Sequence, residues 1–128
     1  MPAERELIEA ARAAMKNAYA PYSRFKVGAA LQTDRGKIFT GCNVENASYG
    51  LTLCAERVAL VRAVAEGARR FRSLAVASSG RKPVAPCGAC LQMLSEFAPN
   101  LSILLVDRKK VPRRTRLRAL LSRPFRLG

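Results

Sequence analysis

Three cysteines constrain the fold of this chain more than any other feature. Cys54 heads Cys54-Ala55-Glu56-Arg57, and Cys87 and Cys90 bracket the run Pro86-Cys87-Gly88-Ala89-Cys90. Both stretches open segments with helical spacing of apolar residues. Cys-x-x-Cys at a helix start turns two sulfurs from adjacent turns toward one point. A third thiolate from the other helix start supplies three ligands and leaves the fourth tetrahedral position open to water, the pattern of a catalytic rather than a structural zinc. A fold that uses the set must therefore bring two helix N-termini together. Taken alone, Cys-x-x-Cys also suits a redox pair, because helix N-termini depress thiol pKa values. Cys42 sits in a strand-like stretch away from both helix starts and is expected to be a packed thiol; as a fourth ligand it would close the site into a structural knot.

The chain has no histidine. That removes Ser-His-Asp and Cys-His catalysis, helical His-Glu-x-x-His zinc sites and Cys₂His₂ fingers. Proton transfer near neutral pH is left to a tuned carboxylate, a lysine, a cysteine or metal-activated water. Glu56 is the candidate. Two positions past Cys54, its carboxylate can reach the open metal position without being a ligand, and in a closed apolar site it can hold a proton near neutrality. The plainer alternative is an acidic residue that favours a helix's first turn. Zinc with three thiolates carries a net −1, which opposes activation of water. Two helix N-termini offset that charge, and so does Arg57, three residues after Cys54 on the same helical face.

A chain of 128 residues, 49% apolar, suffices for one domain over residues 1–128 with a real core. Its formal charge of +14 points by itself to a nucleic-acid or acidic-surface binder. The charge is uneven, however. Nine of the 23 Lys+Arg and none of the nine Asp+Glu fall in residues 108–128. Leu117, Leu120, Leu121, Phe125 and Leu127 interrupt this basic segment, so it reads as a short amphipathic helix with an anchored end and an outward basic face. A zinc-stabilised nucleic-acid module using residues 108–126 stays open as a rival; it would bind with strong salt dependence and would not need Glu56. Five Phe and three Tyr make a poor stacking surface for it. The acidic start lacks the order of a signal peptide, and Ile103-Leu104-Leu105-Val106 is too short to cross a bilayer. Reduced thiols in a cytoplasm, and no membrane partner, are therefore expected.

Residues 4–19 place Leu7, Ile8, Ala11, Met15 and Ala18 on one helical face. Residues 25–31 and 37–43 flank Thr33-Asp34-Arg35-Gly36 as a β-hairpin. A helix follows over 54–67, a strand over 71–78, a helix over 87–97 ended by Pro99-Asn100, and a buried strand over 101–106. This order implies an α/β layered domain whose later strands, joined through helices, run parallel.

Phe25-x-Val-Gly-Ala, Asn43-x-Glu-Asn-x-Ser-Tyr-Gly, Cys54-Ala-Glu-Arg and Pro86-Cys-Gly-Ala-Cys occur in this order. Together they resemble the small homotetrameric cytidine deaminases, strongly over residues 4–106 and weakly beyond. Cys-Ala-Glu with Pro-Cys-x-x-Cys marks the zinc deaminases, and the Asn43–Gly50 stretch narrows the resemblance to free-nucleoside enzymes. It argues against a blasticidin-type deaminase, which shares the zinc motifs. The resemblance implies a three-layer α/β/α sandwich with a mixed sheet and one zinc per subunit on Cys54, Cys87 and Cys90. It implies that Glu56 shuttles protons while cytidine and 2′-deoxycytidine lose ammonia in pyrimidine salvage, with Arg57 bonding ligand sulfur. Asn43 and Glu45 would bond the ribose hydroxyls, which suits two polar residues two apart on an extended segment. Phe25 would pack on the nucleoside, with Val44, Asn46, Ser48 and Ala55 in the same substrate-binding set. Ala47 and Tyr49 would help close a neighbouring subunit's pocket, and Phe125 would reach another. The sequence departs from the pattern at Leu91, where an arginine is usual; its loss is expected to remove a positive group near the thiolates. Ala119-Leu120-Leu121-Ser122 replaces the usual Glu-Leu-Leu-Pro, and Pro112 is expected to disturb the last strand.

Overall fold

Strands buried on both faces form the middle of the sheet. Strand β1 (Val27–Thr33) is covered on both faces and lies between β2 (Ile38–Cys42) and β3 (Phe71–Ser78), antiparallel to each. Strand β4 (Ser102–Val106) pairs parallel with β3, and β5 (Pro112–Arg116) runs antiparallel to β4 at the far edge. The order is β2-β1-β3-β4-β5. The computed structural model describes residues 2–109 and 111–127, so Lys110 and Gly128 of the basic segment lie outside the described residues.

Helix α1 (Pro2–Met15) covers one face, burying Leu7 and Ala11 against Ala30, Ala75, Ala77 and Leu104. Alanines on that face let the helix come close. At Gly28 the approach is closest: a Cβ there would lie 2.0 Å from the Ala11 carbonyl oxygen, so no side chain fits. Helices α2 (Ala55–Ala65) and α3 (Gly88–Ser95) cover the opposite face with the single turn α4 (Leu117–Leu120), around Leu31, Leu74, Val76, Ile103 and Leu105. The result is the expected α/β/α sandwich with a mixed sheet. Gly41 plays for α2 the part Gly28 plays for α1, since a Cβ there would lie 2.5 Å from Ala55 O and Ala59 N. Gly67, at φ +98°, ends α2. Its N–H bonds Val64 O and the Ala68 N–H bonds Ala63 O, a left-handed C-cap that satisfies two terminal carbonyls.

The hairpin, the second helix and the strand at 71–78 fall where the sequence puts them. Three expectations are corrected. Helix α1 stops at Met15, and residues 16–18 form turns. The basic C-terminal segment is chiefly an edge strand followed by one helical turn, not an amphipathic helix. Pro112 does not disturb this strand but begins it: proline lacks only a donor, and the first residue of an edge strand can spare one.

Strands β2 and β3 end where β1 begins, and α2 and α3 start just beyond those ends. The cysteines at the starts of α2 and α3 and the acid Glu56 are thus delivered to one end of the strands.

Candidate active site

Cys54 and Cys87 are the extended N-cap residues of α2 and α3, and Cys90 lies in the first turn of α3, fully buried. The Cys54 and Cys87 sulfurs are 4.0 Å apart and those of Cys87 and Cys90 3.4 Å, and all three lie within 4.8 Å of one another. Zn–S bonds of about 2.3 Å in tetrahedral array require sulfurs about 3.8 Å apart, so the three thiols fit zinc with little movement. Cys42 is half-buried and outside the cluster, in line with a packed thiol. Among the described residues three thiols, not four, converge.

The thiols do not hold their protons independently. Contact with Cys90 pushes the Cys54 thiol down to about 5, the Arg57 guanidinium helping against the opposing effect of burial, while Cys90 is pushed up by Cys54 and by burial. Arg57 Nη2 donates to Cys54 Sγ at 3.6 Å and to Thr52 O at 3.2 Å. The bond expected from Arg57 to a cysteine sulfur is present at Cys54. Its Nε is buried without a partner among the described residues.

Glu56 is 5% exposed, in the first turn of α2. Burial pushes its carboxyl up to about 7, and the negative charge of Cys54 adds to this, so both protonation states are accessible near neutrality. Leu91, where an arginine is usual, puts no charge beside the thiols. Its side chain is 5% exposed and packs in the main core.

A cavity of about 270 Å³ opens beside the thiols, lined by Cys54, Cys87, Glu56, Ala55, Phe25, Asn43, Glu45 and Tyr49 among others. Asn43 and Glu45 are nearly buried and face it together, while Val44 between them points out. Neither is idle. Asn43 Nδ2 donates to Phe25 O at 2.8 Å and its Oδ1 accepts from Val27 N at 2.9 Å. Glu45 Oε1 accepts from the N–H groups of Tyr22 and Ser23 at 3.0 and 3.1 Å, and Oε2 accepts from Ser23 Oγ. The Ser23 hydroxyl is the main reason the Glu45 carboxyl lies below its ordinary value.

Tyr49, expected at a neighbouring subunit's pocket, borders the cavity of its own chain. Val44, Asn46, Ala47, Ser48 and Phe125 do not line it. Asn46 Oδ1 accepts from Ser48 N at 2.8 Å, ordinary turn chemistry that shapes the loop before Tyr49. Phe125 is 71% exposed, its main chain held by Gln92 through two 2.9 Å bonds. Sequence reasoning missed Ser23, Thr52, Val76, Val84 and Ala85, which also line the cavity. Nothing in their spacing marks them, because the topology alone brings them there.

Three thiols and a buried carboxylic acid at two helix starts define a zinc enzyme built on an α/β/α sheet. Residues 1–105 match the family model of the cytidine and deoxycytidylate deaminase zinc-binding region, and the chain belongs to that family. It is 53% identical over 93 residues to a cytidine deaminase of Halalkalibacterium halodurans, covering 73% of this chain and 70% of that protein. A cytidine deaminase of Sporosarcina psychrophila is 50% identical over 92 residues, 72% of this chain and 68% of that one. The crystal structure of a cytidine deaminase from Burkholderia pseudomallei superposes with a TM-score of 0.91 at 52% identity, covering 94% of this chain and 98% of its own.

Proposed function

We propose that this chain is a zinc-dependent cytidine deaminase, replacing the amino group of cytidine and 2′-deoxycytidine by oxygen from water and releasing ammonia. The observation that carries the reading is the buried Glu56 carboxyl, poised near neutrality in the same cavity as Cys54 and Cys87. Cys54, Cys87 and Cys90 would hold the zinc, which supplies Lewis acidity and lets water act as a nucleophile at neutral pH.

The remaining work belongs to the chain's own side chains. Glu56 takes the two protons of the attacking water in turn, passing the first to ring N3 and the second to the amino nitrogen as it leaves C4. A carboxyl near 7 can both accept and give at physiological pH without a large penalty either way. Arg57 offsets the charge of the sulfur it bonds. Phe25 packs on the nucleoside, Ala55 lies against it at the start of α2, and Tyr49 borders the same space. Asn43 and Glu45 take the sugar hydroxyls with the bonding capacity left to them, one N–H and one lone pair on Asn43 and one lone pair on Glu45 Oε2.

In this reading residues 1–128 form one domain that works as a cytoplasmic homotetramer in pyrimidine salvage. Exposed Tyr19, Tyr22, Val44, Leu51 and Leu53 on the segments around the cavity support a second copy covering this side. Val44, Asn46, Ala47 and Ser48 then shape that contact, and Phe125, presented outward by Gln92, suits insertion beside a neighbour's cavity. No helix among the described residues is long and apolar enough to cross a membrane. The deciding experiment is ammonia release from cytidine by purified protein, with zinc content measured on the same sample. Stoichiometric zinc without ammonia would refute the reading.

A further inference from the structure

Segment 22–27 carries Phe25 into the cavity and is tied down by unusual means. Arg24 has φ 59°, a left-handed conformation that is costly for a residue with a Cβ. The turn persists because its neighbours are bonded on both sides. Ser23 is the hub. Its N–H donates to Glu45 Oε1 at 3.1 Å, its hydroxyl donates to Glu45 Oε2, and its Oγ accepts the Phe25 N–H at 3.0 Å. One small side chain thus joins the residue that packs on the nucleoside to the carboxylate beside the sugar.

A lone-pair count gives this arrangement its meaning. A carboxylate offers about four acceptor positions. Tyr22 and Ser23 N–H groups occupy both on Oε1, and the Ser23 hydroxyl occupies one on Oε2. One remains. Because three fixed donors hold the group, that last lone pair has a set direction before any ligand arrives, so little orientation has to be bought on binding.

We propose that Ser23 is a positioning residue for the sugar of the substrate: its hydroxyl fixes Glu45 so that a single lone pair meets one sugar hydroxyl. The proposal rests on the assignment of Asn43 and Glu45 to the sugar. Without the Ser23 hydroxyl, Oε2 is free to turn and to take water in two positions. Binding of a hydroxyl-bearing sugar weakens, while groups at the reacting end of the base stay as they were.

The test compares Ser23→Ala, Ser23→Thr and Glu45→Ala on cytidine and on 2′,3′-dideoxycytidine, which lacks the 2′- and 3′-hydroxyls. Ser23→Ala is expected to raise KM for cytidine about tenfold, the scale of one hydrogen bond to a charged group, with kcat within about twofold. Its loss in kcat/KM should be clearly smaller for the dideoxy substrate, which feels only the lost tie to Phe25, and Ser23→Thr, which keeps a hydroxyl, should restore cytidine binding. Equal losses on both substrates would reveal a merely structural role and overturn the proposal. Wild-type KM in Ser23→Ala beside a weakened Glu45→Ala would overturn it while leaving the sugar assignment standing. Glu45→Ala with wild-type discrimination between the two substrates would remove that assignment and the proposal together.

Discussion

Gly41→Ala offers a stringent test of how the fold positions the chemistry. The added Cβ would lie 2.5 Å from Ala55 O and Ala59 N, both backbone atoms of α2, where ordinary contact begins at 3.4 Å. Backbone cannot rotate aside, so the N-terminal half of α2 has to retreat by about 0.9 Å, or β2 must bend by a similar amount. Overpacking of this kind costs roughly 1–3 kcal/mol, which lowers Tm by on the order of 5–15 °C in a domain of this size. The larger effect is functional. Cys54 caps α2 and Glu56 sits in its first turn, so the retreat carries one thiol and the acid away from Cys87 and Cys90. Metal–ligand distances tolerate only about 0.2 Å, and a misplacement near 1 Å costs about a hundredfold in rate. Gly28→Ala supplies the comparison: its Cβ meets α1 at 2.0 Å, a worse collision, but α1 bears none of the site residues. Thermal unfolding, zinc content and cytidine turnover per folded molecule should separate the two variants. Both lose stability, and only Gly41→Ala loses zinc and turnover together. Wild-type zinc and turnover in Gly41→Ala, or equal functional loss in both, would refute the reasoning.

Glu56→Gln should keep fold and zinc but lose about 10²–10⁴-fold in kcat; a similar rate would end the proton-shuttle assignment. The same variant tests the lowered acidity of Glu56 in metal-free protein. A carboxyl held at about 7 against an unfolded 4.5 favours folding fully below 4.5, and that advantage is lost as pH rises to 7. Denaturation at several pH values should therefore show wild type losing about 3 kcal/mol relative to Glu56→Gln across this window, and parallel curves would contradict it. Arg57→Ala removes the donor to Cys54 Sγ and should weaken zinc 10–100-fold in chelator competition; unchanged affinity would leave Arg57 without that role. Cys87→Ala should purify without zinc while Cys42→Ala keeps it, and metal analysis giving the reverse would redraw the ligand set.

The legible parts of this protein are those where one residue's chemistry fixes its setting. Cysteines at two helix starts and an acid two residues on announce themselves, because few other uses explain that spacing. Strand β3 was readable from Leu74 and Val76 set among smaller residues, because burial on both faces makes the run from Leu74 to Ser78 almost free of polar groups. Strand β5 was not. It pairs with β4 through backbone, and its side chains are mostly exposed, so Pro112-Arg113-Arg114-Thr115-Arg116 carries no apolar rhythm. The leucines after it belong to one helical turn that buries Leu117, and they lent the whole segment a helical look. The partners of Glu45 were hidden for a different reason: Tyr22 and Ser23 lie more than twenty residues earlier in the chain, and the pairing of β1 with β2 and the bridge from Tyr19 to Val44 bring them near.

That edge strand also limits how copies of the molecule can meet. An outer strand displays unpaired N–H and C=O groups, and a second sheet can add to it. Here any approaching copy of β5 would bring Arg113, Arg114 and Arg116 against the same three charges, with Glu4 the carboxylate partner of Arg114 on its own chain. The arginines therefore act as a repellent border: sheets of two copies cannot fuse along β5 at low ionic strength, and salt relaxes the barrier by screening it. The excess positive charge on β5 thus sets that edge of the sheet against pairing with a second copy of itself.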